Sequence, residues 1–337
     1  MQKKFLKKVM GAKMKLLSIS NSDYHLKHFN NDWKNVEKFL KKYNLNGVEL
    51  FPYKDKHIKN IKDKHLKGMH LKYYPTWLEF YKDDKLNLNK IFKNDLEIKK
   101  YYSSLDPNIL IDIYKKEFET AKKLNVDYIV FHVSHIRPKD AFSFSYDYSN
   151  KEVIKYTIDL VNKVFDSDNK IELLFENLWW PGMNLLNKED TKYLLNNINY
   201  KNKGIILDLS HLMITNPNLK NLDETTDYIL EKIDGLDEIK KYIKGIHINS
   251  SLTGNYLKKD HKNRFKKINK IEDNYLKYQK IINHIQKIDK HLPFLNNGIN
   301  KIIKKVRPKY LVYEFKYKDI KQLRKYVKKQ NSYINEY

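Results

Sequence analysis

The segment Tyr310-Leu311-Val312-Tyr313-Glu314-Phe315 is a strongly apolar run broken only by a carboxylate near its end. Aromatic and β-branched residues in an unbroken stretch of this length favour a strand buried on both faces. Just upstream lies Asp289-Lys290-His291. Side chains two residues apart in an extended segment point the same way. Asp289 and His291 therefore converge, and with Glu314 they offer the carboxylate and imidazole donors that suit a divalent ion.

Outward from this stretch the same grammar repeats. Short apolar runs near 14–20, 46–51, 67–72, 126–132, 171–177, 203–208, 243–249 and 309–315 read as strands. Longer lysine-rich amphipathic segments separate them, which is the pattern of β/α units on a parallel sheet. Eight such units predict an α/β protein built as a single (β/α)8 TIM barrel. Residues 14–330 form that barrel in this reading, and residues 1–13 are an N-terminal extension. Asp106-Pro107 predicts a helix start with proline in the first turn. Two connections are long: 73–105 after the third strand and 250–288 after the seventh. The second carries a helix pattern over Asn274–Ile288. Loops of this length in a compact fold are usually functional.

Chemistry in such barrels sits at the C-terminal ends of the strands. Those ends read Gly68-Met69-His70, Val130-Phe131-His132, Phe175-Glu176-Asn177, Leu207-Asp208-Leu209-Ser210-His211 and Gly245-Ile246-His247-Ile248-Asn249. One histidine alone reads as an ordinary core or surface residue; the recurrence at successive strand ends reads as a site. His25, His28, His57, His65 and His284 fall outside the pattern and read as surface or core residues.

Composition narrows the chemistry. The chain of 337 residues has no cysteine, which excludes disulfides, thiolate metal sites, iron–sulfur clusters and cysteine nucleophiles. Its net charge of +25 comes almost wholly from lysine, with arginine only at 137, 264, 307 and 324. Scattered lysines read first as a solvated surface and second as a field for an anionic partner. No run is apolar and long enough for a membrane span, and the N-terminus lacks a signal-peptide core. The expectation is a cytoplasmic protein.

At these strand ends the chain resembles the xylose isomerase-like TIM-barrel superfamily, and within it the endonuclease IV branch (AP endonuclease family 2). Phe131-His132, Glu176-Asn177, Asp208-x-x-His211, His247-Ile248-Asn249, Asp289-x-His291 before Gly298, and Glu314 are similar to that branch's motifs. With His70 the resemblance implies nine ligands for two or three divalent ions (Zn, Mn or Fe): His70, His132, Glu176, Asp208, His211, His247, Asp289, His291 and Glu314. The related sugar isomerases and epimerases mainly use the subset Glu176, Asp208, His247 and Glu314. The chain departs from the branch in Leu178-Trp179-Trp180-Pro181-Gly182, in Val133-Ser134-His135, and in the long stretch from His247 to Asp289. Asp260-His261 stands nearer the branch's spacing than Asp289-x-His291, but its lysine-rich loop reads as solvated.

The leading expectation is metal-hydroxide hydrolysis of a phosphate ester or phosphodiester, as the resemblance implies, with DNA among the candidate substrates. The alternative is isomerisation or epimerisation of a sugar or sugar phosphate, with Glu176 and Glu314 as acid and base around one metal. A third reading is a multinuclear iron oxygenase acting on a peptide. Glu49, Lys72, Trp179, Trp180 and Asn249 are candidate substrate contacts. Glu49 also reads as a structural ion pair, and the tryptophans as an apolar lid.

Overall fold

The computed structural model describes residues 14–53, 63–165 and 169–334. The 1–13 extension and His57 lie outside the described residues. The strands are β1 (Met14–Ser20), β2 (Gly47–Phe51), β3 (Leu66–His70), β4 (Tyr128–His132), β5 (Glu172–Glu176), β6 (Lys203–Asp208), β7 (Ile243–Ile248) and β8 (Tyr310–Tyr313). All neighbours pair in parallel in chain order, and β8 returns to β1 through Leu16 opposite Val312, closing the barrel. β8 is shorter than the sequence suggests, so Glu314 stands one residue beyond it.

An outer ring of helices covers the barrel: α1 (Trp33–Lys42), α2 (Ile109–Lys123), α3 (Asn150–Val164), α4 (Lys188–Asn197), α5 (Leu222–Gly235), α6 (Asn274–Ile288), α7 (Gly298–Val306) and α8 (Ile320–Tyr333). Their starts follow local chemistry. Ser149 accepts from the Glu152 N–H at the head of α3, and Asp319 from the Gln322 N–H at the head of α8. The expected start at Asp106-Pro107 shifts: Asp106 accepts from the Asn108 N–H and forms a turn, and α2 begins at Ile109.

Strand parity builds the interior. Leu16, Tyr128, Val130, Leu174, Ile206, Tyr310 and Val312 form a buried cluster inside the barrel. Two residues further on, the same faces carry His132 after Val130, Glu176 after Leu174, Asp208 after Ile206 and Glu314 after Val312. Each inward row thus turns from apolar to ionisable at its C-terminal end. Gly68 matters to this arrangement. A Cβ there would stand 2.2 Å from the Tyr128 ring, whose hydroxyl donates to Glu49 at 2.7 Å.

The long connections form a roof over one side of the mouth. Residues 73–105 hold three short helices, and 250–288 ends in α6. Ile136, Ala141, Phe142, Leu178, Trp180 and Ile268 make a second buried cluster, with Tyr73, Trp179, Phe265 and Ile281 packed against it. It joins the loops after β3, β4, β5 and β7 and holds the insertion down. His284 of α6 hydrogen-bonds the Ala141 carbonyl at 2.9 Å and stacks on Phe142.

Candidate metal centre

Six strand ends deliver side chains to one buried point. His132 pairs with Glu176 across β4 and β5, and Asp208 with His247 across β6 and β7. His132 Nε2 lies 3.2 Å from Glu176 Oε2, and His247 Nδ1 lies 3.1 Å from Glu314 Oε2. His211 arrives by a different route. Asp208 caps the helix after β6 by accepting from the His211 N–H at 2.7 Å. That capping geometry sets the three-residue spacing and turns the imidazole back over the strand.

Asp289 and His291 come from the segment after α6. His291 has a left-handed φ of 45°, a conformation costly for a side-chain-bearing residue and held here by its surroundings. Its carbonyl accepts from the Lys316 N–H at 3.0 Å. Its Nε2 lies 2.5 Å from Asp289, which also stands 3.4 Å from His211 Nε2. Ser210 and Ser251 donate to the other Asp289 oxygen at 2.7 and 3.2 Å.

The nine residues form overlapping groups of mutually close donors. His70, His132 and Glu176 make one; Glu176, Asp208, His247 and Glu314 a second; Asp208, His211 and His291 a third. Asp289 borders the third. Glu49, His70 and His247 make a further group deeper in the barrel.

Burial alone would raise the Glu49 pKa, but the His247 and His70 imidazoles hold it well below the usual carboxylate range. Burial opposes charge on His247 and His211 too, yet the surrounding carboxylates pull both well above the ordinary value. His291 rises to about 9 against burial because Asp289 and Glu314 face it. His132 falls to about 4, chiefly through burial. The surrounding carboxylates thus favour the protonated form of His211, His247 and His291 but not of His132.

The donor set fits a cation. His70 and His247 each turn Nε2 to Glu49, at 2.8 and 3.1 Å. That leaves both Nδ1 atoms buried without a hydrogen bond. His247 Nδ1 faces oxygens of Glu314, Glu176 and Asp208 at 3.1, 3.5 and 3.6 Å. His211 commits Nδ1 to the Asn177 carbonyl at 2.9 Å and presents Nε2 to Asp289. One ring nitrogen fixed by the protein and the other aimed among carboxylates is how histidines are held for metal.

The expected substrate contacts divide. Glu49 is fully buried behind His70 and His247, with both oxygens engaged by those rings and Tyr128, so it orients histidines instead of meeting a ligand. Asn249 gives its amide hydrogens to Asp208 at 2.7 Å and Glu314 at 3.4 Å and likewise positions ligands. Trp179 lies with its ring 5.1 Å from His211 at the site, whereas Trp180 is buried in the roof. Lys72 is exposed and lays its ammonium over Tyr74; Tyr73 stacks on His132 instead. His261 is a correction. It is buried, not solvated, and bonds the Tyr256 carbonyl within the insertion. Asn177, part of the Glu176-Asn177 motif, holds Asp208 and His211, while Ser210 and Ser251, which hold Asp289, carried no signal of their own in the sequence.

Fold and site together define a (β/α)8 barrel with an ionisable cluster at its C-terminal mouth. The chain belongs to the xylose isomerase-like TIM-barrel family, whose model matches residues 37–296. It is 25% identical over 161 residues to a protein described as probable endonuclease 4 of Metamycoplasma arthritidis. That match covers 48% of this chain, and the chain spans about half the length of the relative, 52%. The structure of endonuclease IV from Thermus thermophilus superposes with a TM-score of 0.52 at 12% identity, covering 95% of this chain and 98% of that one. The probable 3-DHS dehydratase AsbF from Bacillus anthracis gives 0.50 at 13% identity, with 93% and 97% covered. At these identities the structural likenesses speak for the fold. No helix among the described residues is long and apolar enough to cross a membrane.

Proposed function

We propose that the chain is a metal-dependent hydrolase of phosphate esters, with phosphodiesters such as the DNA backbone at an abasic site as the leading class. One observation carries the reading: the donor groups overlap, with Glu176 shared by the first and second and Asp208 by the second and third. Shared carboxylates suit neighbouring ions, and a single-ion centre would need the second group only. The partial match to a probable endonuclease 4 supports the same class.

Two or three divalent ions (zinc, manganese or iron) held there would supply Lewis acidity at phosphate oxygens and a water acidified enough to act near neutral pH. The chain's residues do the rest. Glu176 and Asp208 would each be shared between neighbouring ions, and Asn177 and Asn249 fix Asp208. His211, His291 and Asp289 would hold one of the ions. Glu314, bordering the open cavity beside the site, takes the proton of the attacking water. Water oxygen bonds to phosphorus, the ester P–O bond breaks, the departing alkoxide takes a proton from solvent, and Glu314 returns its proton to solvent.

The second reading is isomerisation or epimerisation of a sugar, with Glu176 and Glu314 as base and acid. It draws on the fact that Glu176, Asp208, His247 and Glu314 alone make a complete buried four-ligand set. Incubation of the zinc or manganese form with abasic duplex DNA separates the two. Incision that disappears in Glu176→Gln is expected; intact DNA with the metal sites filled would remove the nuclease reading.

A further inference from the structure

The roof holds a cavity of its own, about 480 Å³, where its three segments meet. Lys90 comes from the 73–105 connection, Arg137, Lys139 and Asp140 from the loop after β4, and Lys277 from α6 of the insertion. None of the nine candidate metal ligands lines it. Its charges are unevenly matched. Arg137 is already engaged by Glu79 and Asp147, each at 2.5 Å. Lys90 and Lys277 meet only carboxamide oxygens, of Asn87 at 2.9 Å and Asn269 at 2.7 Å. Among the described residues, neither these two nor the exposed Lys139 forms a salt bridge with a carboxylate. Lys277 is half-buried; burial first, and then Lys93, lower its pKa against the pull of Glu97.

Asp140 faces these lysines from a buried position, 6% exposed. One of its oxygens accepts from the Tyr148 hydroxyl at 3.2 Å. The other takes no hydrogen bond among the described residues, although Asp140 lines the cavity. A buried carboxylate oxygen left so calls for a donor. Ile91, Phe265 and Ile281 supply apolar lining beside it.

We propose that this cavity is a second binding site, for a small organic phosphate bearing a hydroxyl or amino donor, and that its occupation fastens the roof. The site does not depend on the reaction assigned to the metal centre. Ammonium groups converging from three segments suit a doubly charged phosphate better than a single carboxylate. The donor on the ligand satisfies Asp140, and its apolar body rests on the isoleucines and Phe265. Asp140 also disfavours a nucleic-acid strand, whose successive phosphates would bring like charge against a buried carboxylate. The volume is that of an ordinary small-molecule site. A ligand touching all three segments at once stabilises their closed arrangement by mass action.

Calorimetry on the full chain, kept metal-free with a chelator so that no bound ion draws phosphate, tests the site with 4-aminophenyl phosphate and inorganic phosphate. The aminophenyl ester should bind saturably and roughly tenfold more tightly than inorganic phosphate. Lys90→Gln combined with Lys277→Gln should weaken both by about tenfold or more, the loss expected of charge-assisted contacts. Asp140→Asn should shrink the preference for the ester while phosphate still binds. Hydrogen exchange of α6 should slow when the ester is added and should not slow in the lysine double variant. No saturable binding of the ester, an affinity unmoved by the lysine substitutions, or α6 exchange indifferent to the ester overturns the inference. So does lysine-dependent binding of a DNA oligonucleotide with no binding of either small phosphate, which would make the cavity part of a nucleic-acid track.

Discussion

His247 turns its Nε2 to Glu49 at 3.1 Å, and that contact decides which nitrogen of the ring is left for chemistry. With Nε2 engaged, Nδ1 faces Glu176, Asp208 and Glu314. Glu49 does the same for His70 from its other side. One carboxylate thus sets the tautomer and angle of two candidate ligands.

Glu49→Gln leaves both His70 and His247 without an anionic acceptor in a buried site. Metal affinity should fall about 10- to 100-fold, the usual effect of losing a partner behind a ligand. Competition against a chelator of known affinity measures it. Unchanged affinity would show that Glu49 only fills space.

Metal binding should release protons. His211 and His247 are held protonated well above their ordinary range and His291 to about 9 by their carboxylates, and an ion must displace those protons. Affinity should therefore fall as pH drops. Calorimetry in two buffers of different ionisation enthalpy counts the protons; identical heats in both would contradict the displacement.

The roof should loosen in acid. His284 accepts from the Tyr256 hydroxyl, bonds the Ala141 carbonyl, and faces His261 and Arg264. Burial first, and then the neighbouring His261, Arg264 and Lys287, lower it to about 4. A histidine with a depressed folded pKa contributes stability that is complete above its unfolded value of about 6.5 and is lost as pH falls towards 4. Hydrogen exchange of α6 should rise selectively between pH 6.5 and 4, and His284→Gln should flatten that response. Uniform exchange across the barrel over this range would rule out a local clasp.

Gly68→Ala should destabilise the barrel by about 1–3 kcal/mol, because the new methyl meets the Tyr128 ring. Chemical denaturation measures it. An unchanged midpoint would mean that Tyr128 moves without cost.

Strand parity explains what the sequence could reveal. The apolar runs and their ionisable ends were readable because the period of two carries each inward row to the mouth, as in Val130 to His132 and Ile206 to Asp208. Glu49 was harder. It lies on the same inward face but one layer deeper, and only three-dimensional register opposite Ser18 and Gly68 shows it behind the histidines. Lys72, Trp180 and His261 depend on how long loops fold over one another, which no local periodicity encodes. Asp208-x-x-His211 and Glu176-Asn177 were legible as motifs, but the helix cap that Asp208 makes and the hold of Asn177 on Asp208 were not.

The central claim is that the overlapping groups hold several ions, and elemental analysis of metal content per chain tests it most directly. The protein purified without added metal should carry more than one ion per chain, and Asp289→Asn with His291→Ala should carry one fewer with the fold intact. A single ion in the unsubstituted chain, or the same count in the double variant, would contradict the account.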